Sequence, residues 1–151
     1  MAEPQKYHLR TNSDIYALNQ VQRWFKQFTV VPKQIWMQCD LVLVEAFTNV
    51  VCHAHEKLPE DTPIDIEVTM FQEAMEIRIW DFGKPFDMQQ EIERLTAEQR
   101  TSSEIADLPT GGRGLLISQK IADEIRYERL SDHRNCFMMR KNFTKTSTNS
   151  V

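Results

Sequence analysis

Between Ile64 and Asp81 the chain alternates strictly. Ile64, Ile66, Val68 and Met70 are interleaved with Asp65, Glu67 and Thr69, and after a short turn at Gln72 to Ala74, Met75, Ile77 and Ile79 are interleaved with Glu76, Arg78 and Trp80. A period of two gives a hairpin with one apolar face, and that face must be covered by another layer. The cover is at hand in the sequence. From Ile35 to about His55 there is no Gly or Pro, Pro32 stands just before as a helix start, and the stretch is rich in Leu, Val and Phe, which predicts a long helix.

The other elements fit that frame. Residues 6–11 form a short first strand, and Ile15, Leu18, Val21, Phe25 and Phe28 recur at helical spacing behind Asn12, Ser13 and Asp14. A helix opens at Gly111 to Gly114 and runs through Leu115, Leu116, Ile117, Ile121 and Ala122. Two final strands, Glu124 to Leu130 and Cys136 to Phe143, flank a turn with Ser131, Asp132 and Asn135. Helix, helix, hairpin, helix, hairpin implies an α/β domain with helices on one face of a mostly antiparallel sheet. With 151 residues, one domain over residues 1–143 is expected, followed by a polar tail at residues 144–151 that is too poor in apolar groups to order itself.

Composition excludes several functions. A net charge of -4 offers no basic face for a nucleic acid. The 3 cysteines, Cys39, Cys52 and Cys136, are widely spaced, without a CxxC pair, and read as reduced, mostly buried thiols. No run approaches the roughly 18 consecutive apolar residues of a spanning helix, and the polar start MAEPQKYHLR is unlike a signal peptide. A soluble cytoplasmic protein is expected, in which the sequon Asn142-Phe143-Thr144 is a chance match.

Three segments carry candidate chemistry. The first is Glu45-Ala46-Phe47-Thr48-Asn49-Val50-Val51-Cys52-His53-Ala54. At about 100° per residue, steps of four keep Glu45, Asn49 and His53 on one stripe of a helix, beside Leu41, Val44, Phe47, Val50 and Val51, which should be buried. A carboxylate there suits proton abstraction, and an amide oxygen suits Mg²⁺. The same spacing also describes the solvated face of an amphipathic helix. His53 and His55, two residues apart, point to different faces and make a poor metal pair.

The second segment is Asp81-Phe82-Gly83-Lys84-Pro85-Phe86. Asp81 is in phase with Met75, Ile77 and Ile79, so an acceptor points to the buried side, where the exocyclic amine of an adenine supplies a donor and Gly83 lets a flat ring come close. An ordinary Asp-x-Gly turn after a strand has the same letters. The third is Pro109-Thr110-Gly111-Gly112-Arg113-Gly114-Leu115 at a helix start, where exposed N–H groups and the helix dipole favour phosphate oxygens. It matches neither GxGxxG nor GxxxxGK[ST].

In this order and at these separations, ExxxNxxxHA, DxGxPFD and GGxGL resemble the N, G1 and G2 boxes of the GHKL ATPase superfamily, and the short chain is similar to the bacterial anti-sigma factor serine/threonine kinases (switch-protein kinases). The resemblance covers about residues 35 to 125. It implies a Bergerat fold, a two-layer α/β sandwich with a mixed, mostly antiparallel sheet and helices on one face, which binds ATP and Mg²⁺ under a lid formed by Asp87 to Gly111. Glu45 matches the general base, Asn49 the Mg²⁺ ligand, Asp81 the adenine-binding carboxylate and Gly83 the glycine beside it. Gly112 and Gly114 match the phosphate-side glycines, and His53, Pro85, Thr110, Gly111, Arg113 and Leu115 complete the boxes around the nucleotide. The implied substrate is a STAS-domain anti-sigma factor antagonist, with a sigma factor or other regulator as second partner and a homodimer as the assembly. Two other readings fit the boxes: a non-catalytic ATP-binding module that sequesters a regulator, and the catalytic domain of a two-component histidine kinase. The latter normally follows a dimerising helical hairpin, for which the roughly 30 residues before the N-box helix are expected to be too few.

Overall fold

The computed structural model describes residues 3–101 and 110–144. Strand β1 (Gln5–Asn12) is followed by a 3₁₀ turn (Ile15–Ala17) and helix α1 (Leu18–Phe25). Helix α2 (Lys33–Asn49) continues into a π turn (Val50–Ala54), and β2 (Pro63–Met70) and β3 (Ala74–Asp81) form the central hairpin. Helices α3 (Met88–Thr101) and α4 (Thr110–Ile121) precede a second hairpin, β4 (Glu124–Arg129) and β5 (Asn135–Asn142). Residues 102–109, within the expected lid, and residues 145–151, within the expected tail, lie outside the described residues.

The strands form one sheet in the order β1-β2-β3-β5-β4, and each of the four ladders is antiparallel. The alternation read from the sequence sets the register. Leu9 lies opposite Ile66, Ile66 opposite Ile79, and Ile79 opposite Phe137, so one apolar row crosses four strands beneath the helices. Ile64, Ile66, Val68, Met75, Ile77, Ile79 and Met139 are buried there against Val21, Phe25, Val42, Leu43 and Phe47. The layout is the helix-on-sheet sandwich expected from the order of elements.

Helix α2 is the core helix. With its π turn, Lys33–Ala54 is 22 residues of mean hydropathy 1.4, apolar enough by length and composition to cross a membrane, yet it packs in this fold against the sheet and α4. Its buried stripe is Cys39, Val42, Leu43 and Phe47; of the residues expected to be buried, Phe47 and Val50 are, Val44 and Val51 are half-buried, and Leu41 is 41% exposed. The sheet lies under only one side of the helix, and Leu41 is turned away from it. Cys39 and Cys136 are buried free thiols, whereas Cys52 is exposed.

The opposite face of the sheet is charged and tightly paired. Asp65, only 3% exposed, accepts hydrogen bonds from Arg10 Nε at 2.8 Å and Nη2 at 3.1 Å and bonds His8 Nε2 at 2.9 Å. Glu76 pairs with Arg78 and Arg140, each at 2.7 Å. Cross-strand pairs of opposite charge place these groups side by side on a pleated face.

A cavity between the long helix and the end of strand three

The end of β3, the π turn after α2 and the body of α4 enclose a cavity of about 630 Å³. Asn49, His53, Asp81, Gly83 and Leu115, drawn from all three candidate segments, line it. Phe86 and Tyr127, in ring contact at 4.4 Å between centroids, add an aromatic wall. Pro85 is exposed and outside the lining, although its neighbours Lys84 and Phe86 belong to it. Thr110, Gly111, Gly112 and Arg113 form the first turn of α4.

Asp81 is 6% exposed, as its phase in β3 requires. Its Oδ1 accepts from the Gly83 N–H at 2.8 Å and from Asn135 Nδ2 at 2.9 Å. Both bonds fall on Oδ1, so among the described residues Oδ2 keeps its acceptor capacity on a side chain that faces the cavity. Asn135, fully buried, also donates to the Gly83 carbonyl at 2.8 Å, and Arg129 Nη1 donates at 3.2 Å to that carbonyl and to Asn135 Oδ1. Gly83 has to be a glycine: a Cβ there would lie 2.7 Å from the Ala54 carbonyl oxygen.

On the other wall, Asn49 Oδ1 is a buried oxygen without a hydrogen-bond partner among the described residues. An orphaned buried carbonyl oxygen is costly, and it is the donor type that Mg²⁺ takes. The residues therefore fit that ion. Gly114 of α4 packs against the same face: a Cβ on it would meet Glu45 Oε2 at 2.8 Å and Asn49 Nδ2 at 3.3 Å. Glu45 thus lies one helical turn before Asn49 and beside the start of α4.

Sequence reading missed two groups. Asn135, taken for a turn residue, is the first residue of β5 and lies opposite Asp81. His55 is 2% exposed, with Nε2 accepting from the Phe82 N–H at 2.8 Å and Nδ1 3.0 Å from Ser13 Oγ. His53 is exposed and lines the cavity, so the two histidines do face different ways. The signal for Asn135 was a polar residue in phase with Phe137 and Met139 on a strand.

Residues 11–141 match the histidine kinase-like ATPase domain family. The chain is similar to the serine-protein kinase RsbW of Bacillus pumilus, with 32% identity over 89 residues covering 58% of this chain and 54% of the relative. The RsbW of Bacillus subtilis is 29% identical over 88 residues, with the same coverage. That of Halalkalibacterium halodurans is 33% identical over 85 residues, covering 56% of this chain and 50% of the relative. The chain spans about half the length of the curated relatives it matches. With the boxes, the fold and the match in agreement, the chain belongs to the histidine kinase-like ATPase (GHKL) domain family.

Proposed function

We propose that this protein is an ATP-dependent serine/threonine kinase of the anti-sigma factor type, which phosphorylates a STAS-domain anti-sigma factor antagonist in a partner-switching system of the cytoplasm. The observation that carries this reading is the convergence of three distant segments on one cavity, with Asn49, Asp81 and Leu115 in its lining and Glu45 against Gly114 beside it. Similarity to proteins named serine-protein kinases supports the choice of acceptor.

In this reading Asp81 Oδ2 accepts from the adenine amine, and Gly83 lets the base approach the backbone. Bound Mg²⁺ neutralises charge on the phosphates, with Asn49 Oδ1 as its protein ligand. The N–H groups of the first turn of α4, from Thr110 through Arg113, face the phosphate oxygens. His53, Pro85, Arg113 and Leu115 shape the rest of the nucleotide site. Glu45 takes the proton of the incoming Ser or Thr hydroxyl as its oxygen bonds the γ-phosphorus and the bond to the β-phosphate oxygen breaks, leaving ADP. Transfer of this kind depends on positioning and charge stabilisation, which a half-buried carboxylate next to a glycine-rich helix start supplies. A sigma factor or other regulator is the second partner, and the chain acts as a homodimer.

The test is incubation with γ-labelled ATP and the STAS-domain proteins of the same host, followed by phosphosite mapping. An acid-stable phosphoserine or phosphothreonine on one of them is the expected product. ATP binding without transfer to any of them contradicts the kinase reading and favours a non-catalytic sequestering module.

A further inference from the structure

The Asp81-Phe82-Gly83 turn is held on two sides. From the sheet, Asn135 ties Asp81 Oδ1 and the Gly83 carbonyl. From the helix layer, Gly83 packs against Ala54, and the hydrogen bond seen among the described residues is to an imidazole, since the Phe82 N–H donates to His55 Nε2 at 2.8 Å. A backbone N–H only donates, so Nε2 must carry a lone pair. The ring proton is then on Nδ1, which faces Ser13 Oγ at 3.0 Å and donates to it. Ser13 is itself anchored, buried at 6% exposure with its N–H on the Glu60 carbonyl at 2.8 Å. The chain of contacts joins the loop after β1, the end of the long helix and the turn that carries Asp81.

The π turn makes this possible. The His55 N–H bonds the Val50 carbonyl at 2.7 Å, five residues back, and the wider turn delivers a side chain to the interior two residues after exposed His53. We propose that His55, as a neutral Nδ1-protonated imidazole, is a positioning residue that fixes the turn bearing the adenine acceptor, so that nucleotide binding weakens when the ring takes a second proton. This rests on the nucleotide reading of the cavity. A protonated ring presents N–H to the Phe82 N–H, and the two donors repel. Burial favours the neutral ring and lowers the His55 pKa below its ordinary 6.5, while the charge of Asp81 from the end of β3 acts in the other direction. The contact from the β1 side is the uncharged Ser13 hydroxyl. The neutral form is thus complete above pH 6.5, and its hold on the turn is lost as pH falls through the lower folded value.

The experiment measures ADP affinity between pH 5 and 8 for the wild type, His55→Gln and His55→Phe, with imidazole ¹⁵N shifts of the wild type. Gln places an oxygen where Nε2 accepts but does not titrate, so it also corrects for protonation of ADP itself. The expected results are an Nδ1-protonated tautomer, Gln affinity within about threefold of wild type at pH 8, and a wild-type loss relative to Gln that sets in over the pH range in which the ¹⁵N shifts show the ring taking its second proton. His55→Phe should lose about tenfold at pH 8. A constant ratio of wild type to Gln across the range, or an Nε2-protonated ring, overturns the positioning role even if His55→Phe fails to fold. Absence of ADP binding by the wild type at pH 8 contradicts the nucleotide reading itself.

Discussion

Gly114 lies directly against Glu45: a methyl group in place of its hydrogen would stand 2.8 Å from Glu45 Oε2 and 3.2 Å from Glu45 Cβ. The carboxylate tip can swing away, but the Cβ is fixed to the α2 backbone, so Gly114→Ala moves both the proposed base and the start of α4. Crowding of this kind is worth about 1–3 kcal/mol. Phosphotransfer should fall by about tenfold or more, and the thermal midpoint by several degrees, in side-by-side kinase and melting assays.

Removal of the carboxylate alone separates binding from chemistry. Glu45→Gln keeps the shape of the side chain and loses the base, so transfer to the protein substrate should drop about 10²- to 10⁴-fold while ADP affinity stays within about threefold. Equal loss of both in a single-turnover assay and an ADP titration would deny Glu45 its role.

Asn135 supports Asp81 from the sheet. Asn135→Leu takes one of two donors from the Gly83 carbonyl, where Arg129 remains, and one of two from Asp81 Oδ1, where the Gly83 N–H remains, and each lost hydrogen bond is worth about 0.5–1.5 kcal/mol. ADP affinity should fall about tenfold or more, whereas a substitution of the exposed Asn19 on α1 should leave it unchanged. A calorimetric titration of the two variants checks this.

The charged face of the sheet predicts an acid limit to stability. Burial pushes the Asp65 and Glu76 carboxyls up, but the hydrogen bonds and charges of Arg10 and His8, and of Arg78 and Arg140, outweigh it and hold both below their ordinary values of 3.8 and 4.5. A depressed folded value means that the contribution is complete above the unfolded value and is lost as pH falls through the folded one. The thermal midpoint should fall steeply below about pH 4, and Asp65→Asn should flatten that fall. An unchanged acid slope in Asp65→Asn would remove this cluster from the account.

Much of this could be read in the sequence because it repeats locally. The alternation of Ile64 to Ile79 fixes the hairpin register and puts Asp81 on the inner face. Three boxes in order gave the residues of the cavity wall. What escaped depends on pairing across long separations and on backbone detail. Asn135 meets Asp81 because β5 pairs with β3, 54 residues away, and no local pattern specifies that partner. His55 becomes an interior acceptor because the helix widens to a π turn after Asn49, where an α-helical reading sends it to another face. Phe28 likewise fits the helical period of α1 but packs beyond its end, edge-on to Phe25, Trp24 and Tyr7.

The most direct test of the central claim is a titration of the wild type and Asp81→Asn with ADP and Mg²⁺. The two donors facing Oδ1 select the Asn oxygen for that place, so the new NH₂ takes the place of Oδ2 and meets the adenine amine donor to donor. The account predicts one ADP per wild-type chain and about 100-fold weaker binding by a folded Asp81→Asn. Equal affinity in the two proteins, or no ADP binding by the wild type, would contradict it.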